Sequence, residues 1–156
     1  MGKQGGSIKR MKMKIQEAEE KALDTIRTLS DKEKIIFLSA LYWGEGNKKD
    51  FNLMNSAPRL IKVFITGLHT VFDISPDRLR ISIRLYEDLD RVTCLHYWSQ
   101  VTGIRVADFI SVDTIKGKKK GKLKYGMCRV RISKGGDMLK YIQSLYKQIS
   151  SRFEPS

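Results

Sequence analysis

One apolar helix constrains the fold of this chain more than any other part of its sequence. Ser30 and Glu33 form the Ser-x-x-Glu pattern that caps a helix N-terminus, so we predict that a helix begins there. The apolar residues that follow are spaced for one buried side: Ile35, Ile36, Leu38, Leu41 and Tyr42. Gly44 and Gly46 end the helix and allow another backbone to approach closely. Glu45 lies between them, where the helix dipole is already negative, and this position favours a side chain that holds a cation.

The end of this helix resembles the LAGLIDADG motif of homing endonucleases over the nine residues 38–46. Leu38 and Leu41 match leucines of the motif, Ala40 takes the place of a glycine, and Gly46 matches the closing glycine. Three later segments are similar to compact relatives that have a single motif, namely 52–58, 80–86 and 122–131. The resemblance therefore covers most of the chain.

The resemblance implies a metal site at Glu45, which stands where the family has its metal-binding acid, with Gly44 beside it. Trp43 replaces the first acidic residue of the motif, which is not generally a ligand. In the family, acids from two packed motif helices hold divalent metals over the scissile phosphates, so the implied cofactor is Mg²⁺ or another divalent cation. The family also keeps a lysine near the metals. Lys124, which its strand parity predicts to point inwards, is the first choice for this catalytic lysine and Lys122 the second.

A single copy of the motif implies a homodimer in which two motif helices pack across a two-fold axis. The implied interface residues are Leu38, Ala40, Leu41, Trp43 and Gly44. Physical reasoning agrees, because small residues permit close helix approach and the helix is too apolar to face water all round. Two copies of Glu45 would then meet, and neighbouring carboxylates repel each other unless a cation bridges them. A symmetric dimer favours a pseudo-palindromic DNA target.

Composition favours a polyanionic partner. The 156 residues carry 30 Lys and Arg against 17 Asp and Glu, a formal charge of +13, with 41% hydrophobic residues. This balance is typical of one globular domain that binds nucleic acid, and double-stranded DNA is the first expectation. No apolar run is long enough for a bilayer, no signal-peptide pattern begins the chain, and its two cysteines exclude a disulfide framework. We therefore expect a reducing intracellular compartment (cytoplasm, nucleoid or organelle) and no membrane partner.

The rest of the chain predicts an α/β domain of the α+β type over residues 30–150. After the first helix, the predicted elements are a strand at 51–55, a helix from Pro58, a strand at 78–86, a helix at 89–101, strands at 106–114 and 125–133, and a last helix from Asp137. We expect the last two strands to form a hairpin through a lysine-rich turn. The expected architecture, which LAGLIDADG domains share, is a small, mainly antiparallel sheet with helices on one face and a basic DNA-facing surface on the other.

The two ends of the chain predict less order. Residues 1–10 are glycine-rich and basic and predict a disordered tail, and residues 151–156 predict a frayed C-terminus. Residues 11–29 predict an amphipathic helical arm with apolar residues on one side: Ile15, Ala18, Ala22, Leu23 and Ile26. Two interpretations of this arm are open, because it either packs on the domain or docks against DNA or a partner subunit.

Two basic segments predict a DNA contact surface. In the strand at 78–86, three arginines and a serine alternate with apolar residues, and no acid lies between them. The segment 116–131 carries eight basic residues, a density that suits a phosphate backbone. The residues that we assign to DNA are Lys48, Lys49, Asn55, Arg78, Arg80, Ser82, Arg84, Lys116, Lys118, Lys119, Lys120, Arg129 and Arg131. A solvated strand face and a solvated lysine loop are the alternative interpretations.

The leading prediction is a sequence-specific, Mg²⁺-dependent homing endonuclease that makes a double-strand break in DNA as a homodimer. The alternatives are a non-catalytic DNA-binding regulator built on the same domain and an RNA-binding intron-splicing maturase. For Glu45, the alternative to metal binding is a surface salt bridge with Lys48 or Lys49. His69 and His96 have no partner at metal-ligand spacing, so we expect structural or surface roles for them.

Overall fold

The computed structural model describes residues 3–117 and 123–155, and the chain divides into two compact units, Met1–Glu33 and Lys34–Ser156. The first unit contains helix α1 (Lys3–Thr25) and the start of helix α2 (Asp31–Glu45). The second contains the rest of α2 and, among the described residues, four strands and three further helices. Their bounds are β1 (Asn52–Asn55), α3 (Pro58–Thr70), β2 (Leu79–Tyr86), α4 (Arg91–Thr102), β3 (Ser111–Ile115), β4 (Met127–Ile132) and α5 (Gly136–Ser151).

Helix α1 begins at Lys3 rather than at Met11, so the described part of the predicted disordered tail is helical. The helix extends towards the N-terminus because each added residue brings one more hydrogen bond, which offsets the two glycines near its start. It ends at Thr25, before the predicted end at Leu29. Several large apolar side chains of α1 are exposed: Ile8, Met11, Met13, Ile15 and Leu23.

The N-terminus of α2 has the predicted capping box. The backbone N–H of Glu33 donates to Ser30 Oγ at 3.2 Å, and the backbone N–H of Ser30 donates to Glu33 Oε2 at 3.1 Å. These two bonds satisfy donors that the first turn of a helix leaves without a partner. The helix then runs to Glu45, as predicted.

The four strands form one mixed sheet in the order β1-β4-β2-β3. β4 pairs antiparallel with both β1 and β2, whereas β3 pairs parallel with β2. Asn55, at the end of β1, lies opposite Cys128, and Ile83 of β2 lies opposite the same residue. The α+β class with a small sheet is confirmed, although one of its three strand pairs is parallel.

The predicted hairpin between the last two strands is wrong, because β2 lies between β3 and β4. β2 is the strand with the most regular apolar alternation, and a central position buries that side of it completely. β3 is exposed or half-buried throughout, as suits an edge strand. The strand predicted at 106–114 is also shorter, since a 3₁₀ turn occupies Val106–Asp108 and the strand begins at Ser111.

The core lies between one face of the sheet and the helices. Alternate strand residues point into it: Leu53, Ile81, Ile83, Leu85, Cys128, Val130 and Ile132. The helices contribute Leu38, Tyr42, Ile61, Phe64, Leu68, Trp98 and Ile142. Trp98 also anchors the segment before β4, because its Nε1 donates to the carbonyl of Tyr125 at 2.8 Å. The opposite face of the sheet is therefore free of the helices that cover the core.

Candidate nucleic-acid interface

Glu45 is the last residue of α2, and its side chain is exposed. Asn55 Nδ2 donates to Glu45 Oε2 at 3.1 Å, while Asn55 Oδ1 accepts from the backbone N–H of Ala57 at 2.8 Å. Asn55 thereby ties the carboxylate to the segment that leads from β1 into α3. Within the described residues Glu45 forms no ion pair, so the alternative of a salt bridge with Lys48 or Lys49 is not what the structure shows.

Lys48 caps the C-terminus of α2 instead of facing a ligand. Its Nζ donates to the carbonyls of Trp43 at 2.6 Å, Gly46 at 2.8 Å and Tyr42 at 3.2 Å. A lysine ammonium has three N–H donors, so this set uses all of them. The last carbonyls of a helix attract a cation, so Lys48 binds its own chain in this conformation, and its assignment to DNA stays a prediction.

Tyr42 holds the turn that follows Glu45, and the sequence analysis placed it only in the core. Its hydroxyl donates to the carbonyl of Asn47 at 2.6 Å and accepts from the backbone N–H of Asn52 at 3.3 Å. Burial raises the pKa of Tyr42 to about 12. A Cβ at Gly46 would lie 2.5 Å from the Tyr42 ring, so only glycine fits beside it. A tyrosine three residues before a glutamate between two glycines is the signal that points to this arrangement.

The outward side of α2 is apolar and exposed, but it differs from the interface that we predicted. Leu38 is a core residue, since it is 3% exposed and its Cδ1 lies 2.5 Å from where a Cβ would stand on Gly67. Leu41 is half-buried. The exposed residues on this side are Ile36, Phe37, Ala40, Trp43 and Gly44, and we call them the α2 stripe. Nothing lies within 4 Å of a Cβ built on Gly44.

Ile36 and Phe37 belong to the exposed α2 stripe but were not among the predicted interface residues, because the nine-residue motif begins after them. Phe37 is 58% exposed and Trp43 is 51% exposed, values that are high for large apolar side chains. The complete α2 stripe could have been predicted from the sequence, because apolar and small residues at positions 36, 37, 40, 43 and 44 lie on one side of a helix. The Trp43 ring stacks on Tyr146 of α5, with 5.3 Å between centroids.

Four arginines lie on the sheet face opposite the core, and we call this the arginine face: Arg80 and Arg84 of β2, and Arg129 and Arg131 of β4. Arg80 lies directly opposite Arg131 in the antiparallel register, and Ser82 lies opposite Arg129. Like charges placed opposite each other in a sheet destabilise it. The one acid that pairs with this group among the described residues is Asp50, whose Oδ2 is 3.3 Å from Arg131 Nη2.

Among the described residues, two arginines of the arginine face have a donor without an acceptor, whereas Arg80 donates from Nη1 to the carbonyls of Asp77 at 2.7 Å and Leu79 at 2.9 Å. The Nε atoms of Arg129 and Arg131 are buried and have no hydrogen-bond partner among the described atoms. Burial, followed by the charges of Arg131 and Arg84, lowers the pKa of Arg129. An anion bound on this face would accept hydrogen bonds and reduce the repulsion, which is what a phosphate group offers.

Neighbouring residues partly cover two predicted DNA contacts. Ser82 of β2 is 6% exposed, so its hydroxyl is not at the surface. Arg78 is half-buried in the 3₁₀ turn just before β2, and it donates from Nη2 to the carbonyls of Ser133 at 2.9 Å and Lys134 at 3.3 Å. Arg78 thereby joins the segment before β2 to the end of β4. Period two predicts the side of β2 on which Ser82 lies, but it does not show which neighbours cover it.

The lysines after β3 are only partly within the described residues. Lys116 is exposed at the end of β3, and Lys49 is exposed in the turn after α2. Lys118, Lys119, Lys120 and Lys122 lie outside the described residues.

Lys124, the first choice for a catalytic lysine, is exposed in the turn before β4, and its Nζ lies 5.3 Å from the centroid of the Tyr125 ring. The parity argument for an inward Lys124 fails because Gly126, at φ 76°, interrupts the strand. A Cβ on Gly126 would lie 2.4 Å from the Arg84 carbonyl oxygen, which requires glycine there. A change of strand direction at a glycine with positive φ cannot be seen in an alternation pattern.

One chain offers only part of a metal site. No group of three or more His, Cys, Asp and Glu residues among the described positions is arranged to hold a metal ion. Glu45 and the Gly44 carbonyl are oxygen donors of the kind that Mg²⁺ prefers, but a complete site needs a second contribution. His69 is half-buried and its Nδ1 lies 2.8 Å from the Ile74 carbonyl, whereas His96 is exposed, which agrees with the structural and surface roles expected.

Comparison of the chain with protein-family models, curated proteins and solved structures gave no match. Among its described helices, none is both long and apolar enough to cross a membrane.

Proposed function

We propose that the protein is a DNA endonuclease of the homing type, which uses Mg²⁺ or another divalent cation and cuts both strands as a homodimer. The observation that carries this proposal is Glu45, an exposed carboxylate that forms no ion pair among the described residues and that Asn55, at the end of β1, holds by a hydrogen bond. Asn55 follows Met54 in β1, and Met54 lies opposite Arg129. The cation ligand therefore lies at the end of a strand whose neighbour, β4, carries two of the four arginines.

The α2 stripe supports a homodimer. Burying a fully exposed large apolar side chain gives about 1.5–3 kcal/mol, so the exposed halves of Phe37 and Trp43 would give roughly 1 kcal/mol each, and Ala40 and Gly44 let two helices come close. Two α2 helices packed through this stripe would bring both copies of Glu45 towards one axis. In a symmetric dimer the paired glutamates and the Gly44 carbonyls would hold the cation, which when bound activates water and neutralises phosphate charge.

The arginine face supports DNA as the substrate. Arginines bind phosphates and guanine edges with two parallel hydrogen bonds, and an uncovered sheet face is broad enough to follow a groove. RNA remains the alternative polyanion, since the same charges attract it.

The experiment is a cleavage selection on a randomised pool of double-stranded DNA, with Mg²⁺ for cleavage and Ca²⁺ for binding. We would compare the wild type with Glu45→Gln, whose amide oxygen still accepts the bond from Asn55. Glu17→Gln, an exposed glutamate of α1, is the matched control. We expect cleavage by the wild type and by Glu17→Gln, binding but no cleavage by Glu45→Gln, and a pseudo-palindromic site among the cleaved molecules.

The other outcomes decide between the alternatives. Sequence-specific binding without cleavage in any divalent metal would reject the endonuclease and leave a DNA-binding regulator. Binding to structured RNA but not to DNA would favour an intron-splicing maturase.

A salt titration tests the arginine face directly. Arg129→Gln should reduce the slope of log affinity against log salt by about 0.9 for each lost phosphate contact. Arg105→Gln loses the same charge from an exposed pair with Asp108 and is the control. Equal slopes for both variants would show that only the net charge of the protein matters.

A further inference from the structure

Helix α1 carries a narrow apolar stripe that the proposed nuclease site does not use. The stripe has heptad spacing, with a and d positions at Ile8, Met11, Ile15, Ala18, Ala22 and Thr25. A strict a/d stripe is narrower than the side by which a helix packs on a globular core, and it is typical of a coiled coil. Its largest residues are well exposed, at 51% for Ile8, 55% for Met11 and 50% for Ile15.

The unit that contains α1 has no core of its own. The side chains of residues 7–33 are all exposed. A single helix of 23 residues that includes two glycines is marginally stable in water, because packing supplies most of the stability of helices in proteins. A partner surface along the stripe would supply this packing.

We infer that α1 pairs with α1 of a second copy as a parallel two-stranded coiled coil over residues 8–25. Isoleucine occupies two of the three a positions, Ile8 and Ile15, and β-branched residues at a without isoleucine at d are compatible with two parallel strands. In that arrangement Lys14, at a g position, faces Glu19, at the following e position of the second copy, and symmetry makes this pair twice. No like-charged g–e pair forms over this range.

The charges also select the direction of the pairing. With the same stripe in an antiparallel arrangement, Lys12 would face Glu19 of the second copy, but Lys14 would face Lys21. The two repulsive pairs would cancel the two attractive ones. The inference depends on α1 alone, so it stands or falls independently of nuclease activity.

Disulfide formation between full-length chains tests the pairing. Ile15→Cys places a thiol at an a position, and Met13→Cys places one at an f position on the opposite side of the helix. The native Cys94 and Cys128 are buried, and burial raises the pKa of both thiols, so they stay unreactive. The readout is the rate of disulfide-linked dimer formation in a glutathione buffer without nucleic acid.

Pairing raises the effective concentration of facing thiols to about the millimolar range, so Ile15→Cys should form the linked dimer at least about tenfold faster than Met13→Cys. Contact through α2 alone would bring both positions near their counterparts without this preference. Equal rates for the two variants would overturn the inference. Fast linkage only in a mixture of Ile15→Cys and Ala18→Cys chains would indicate antiparallel helices and would also overturn it.

Charge reversal tests the same pair by a second route. In the Ile15→Cys chain, Lys14→Glu and Glu19→Lys should each slow linkage by roughly fivefold, since each creates two like-charged pairs. The double variant should recover the original rate. Residues five apart do not face each other on one helix, so recovery reports contact between chains. Failure to recover, with helix content by circular dichroism unchanged, would contradict the parallel register.

Discussion

Helices α2 and α3 are both apolar and similar in length, at 15 and 13 residues, yet α2 leaves a second apolar side exposed. α3 contacts α4, β1 and β4, and it buries Ile61, Phe64, Ile65 and Leu68. α2 buries Leu38 and Tyr42 and leaves the α2 stripe open to solvent. The difference shows that apolar character alone does not tell a core helix from an interface helix. It also explains why α2, rather than α3, suits the proposed homodimer.

A matched pair of phenylalanines gives the largest expected difference between the two helices. Phe64 of α3 is fully buried, whereas Phe37 of α2 is 58% exposed. Phe64→Ala should lower the free energy of unfolding by about 3–5 kcal/mol, because it leaves a cavity. Phe37→Ala should change it by at most about 0.5 kcal/mol at protein concentrations where the chain is monomeric.

Urea denaturation measures both values, and analytical ultracentrifugation should show weaker dimerisation for Phe37→Ala only. A large loss of monomer stability in Phe37→Ala would mean that the α2 stripe belongs to the core.

A pair of glycines sharpens the comparison. A Cβ on Gly67 of α3 would lie 2.5 Å from Leu38 Cδ1, whereas a Cβ on Gly44 of α2 meets nothing within 4 Å. Gly67→Ala should destabilise the monomer by about 1–3 kcal/mol through overpacking. Gly44→Ala should stabilise it by up to about 1 kcal/mol, because alanine is the better helix former.

Thermal unfolding of dilute protein gives the sign of both changes. If Gly44 lies at the contact between two helices, its alanine variant should also dimerise less tightly, and unchanged dimerisation would remove this glycine from the interface.

Tyr42, on the buried side of α2, makes the stability of the protein depend on pH. Burial holds the pKa of Tyr42 at about 12, above the ordinary value for tyrosine. The unfolded chain therefore loses this proton near pH 10 while the folded chain keeps it until about pH 12. The contribution of Tyr42 to stability is complete below pH 10 and is lost as the pH rises to 12, with a decrease of about 2–3 kcal/mol in the free energy of unfolding.

Tyr42→Phe should remove this part of the alkaline slope, as measured by urea denaturation at pH 9 to 12. An identical slope in the variant would mean that other groups cause it. Below pH 9 the variant should be less stable than the wild type, because the N–H of Asn52 loses its acceptor.

The smallest expected effect concerns how each helix ends. A backbone bond closes both helices, from the N–H of Val71 to the Gly67 carbonyl in α3 and from the N–H of Gly46 to the Tyr42 carbonyl in α2, and only α2 has a lysine, Lys48, in addition. Lys48→Met should lower the free energy of unfolding by about 0.5–1.5 kcal/mol. Lys49→Met, at the exposed neighbouring lysine, is the control and should have no effect. An equal loss in both variants would show that Lys48 acts through net charge rather than as a cap.

Local sequence patterns predicted the helices and strands better than they predicted which of these elements lie next to each other. The capping box at Ser30, the helix from Pro58 and the alternation in β2 are all confirmed, because each depends on residues close together in the chain. The prediction of a hairpin between β3 and β4 is wrong because β2, the strand with the most regular apolar alternation, occupies the central position between them. Local patterns did not show that Lys48 and Arg78 donate to backbone carbonyls, from the end of α2 and from residues 133 and 134 beyond β4, and the assignment of both residues to DNA stays a prediction.

For the candidate site, too, the sequence predicted individual residues but not the contacts between them. The sequence pointed to Glu45 and to arginines on β2 and β4, since residue type and period two are visible in it. It did not show that Asn55 holds Glu45, that Tyr42 supports the following turn, or that Gly126 turns Lys124 away from the strand.

By itself, the sequence determined the positive charge, the capped helix α2, the alternating strand β2 and the acid at the end of the helix. These are properties of residue type and of the local periods 3.6 and 2. Only the tertiary structure decided that β2 separates β3 from β4, that Leu38 belongs to the core, and that Ile36 and Phe37 join the exposed stripe. Two opposite sides of α2 are apolar in the sequence. The core of the domain covers only the side with Leu38 and Tyr42, and the α2 stripe stays exposed.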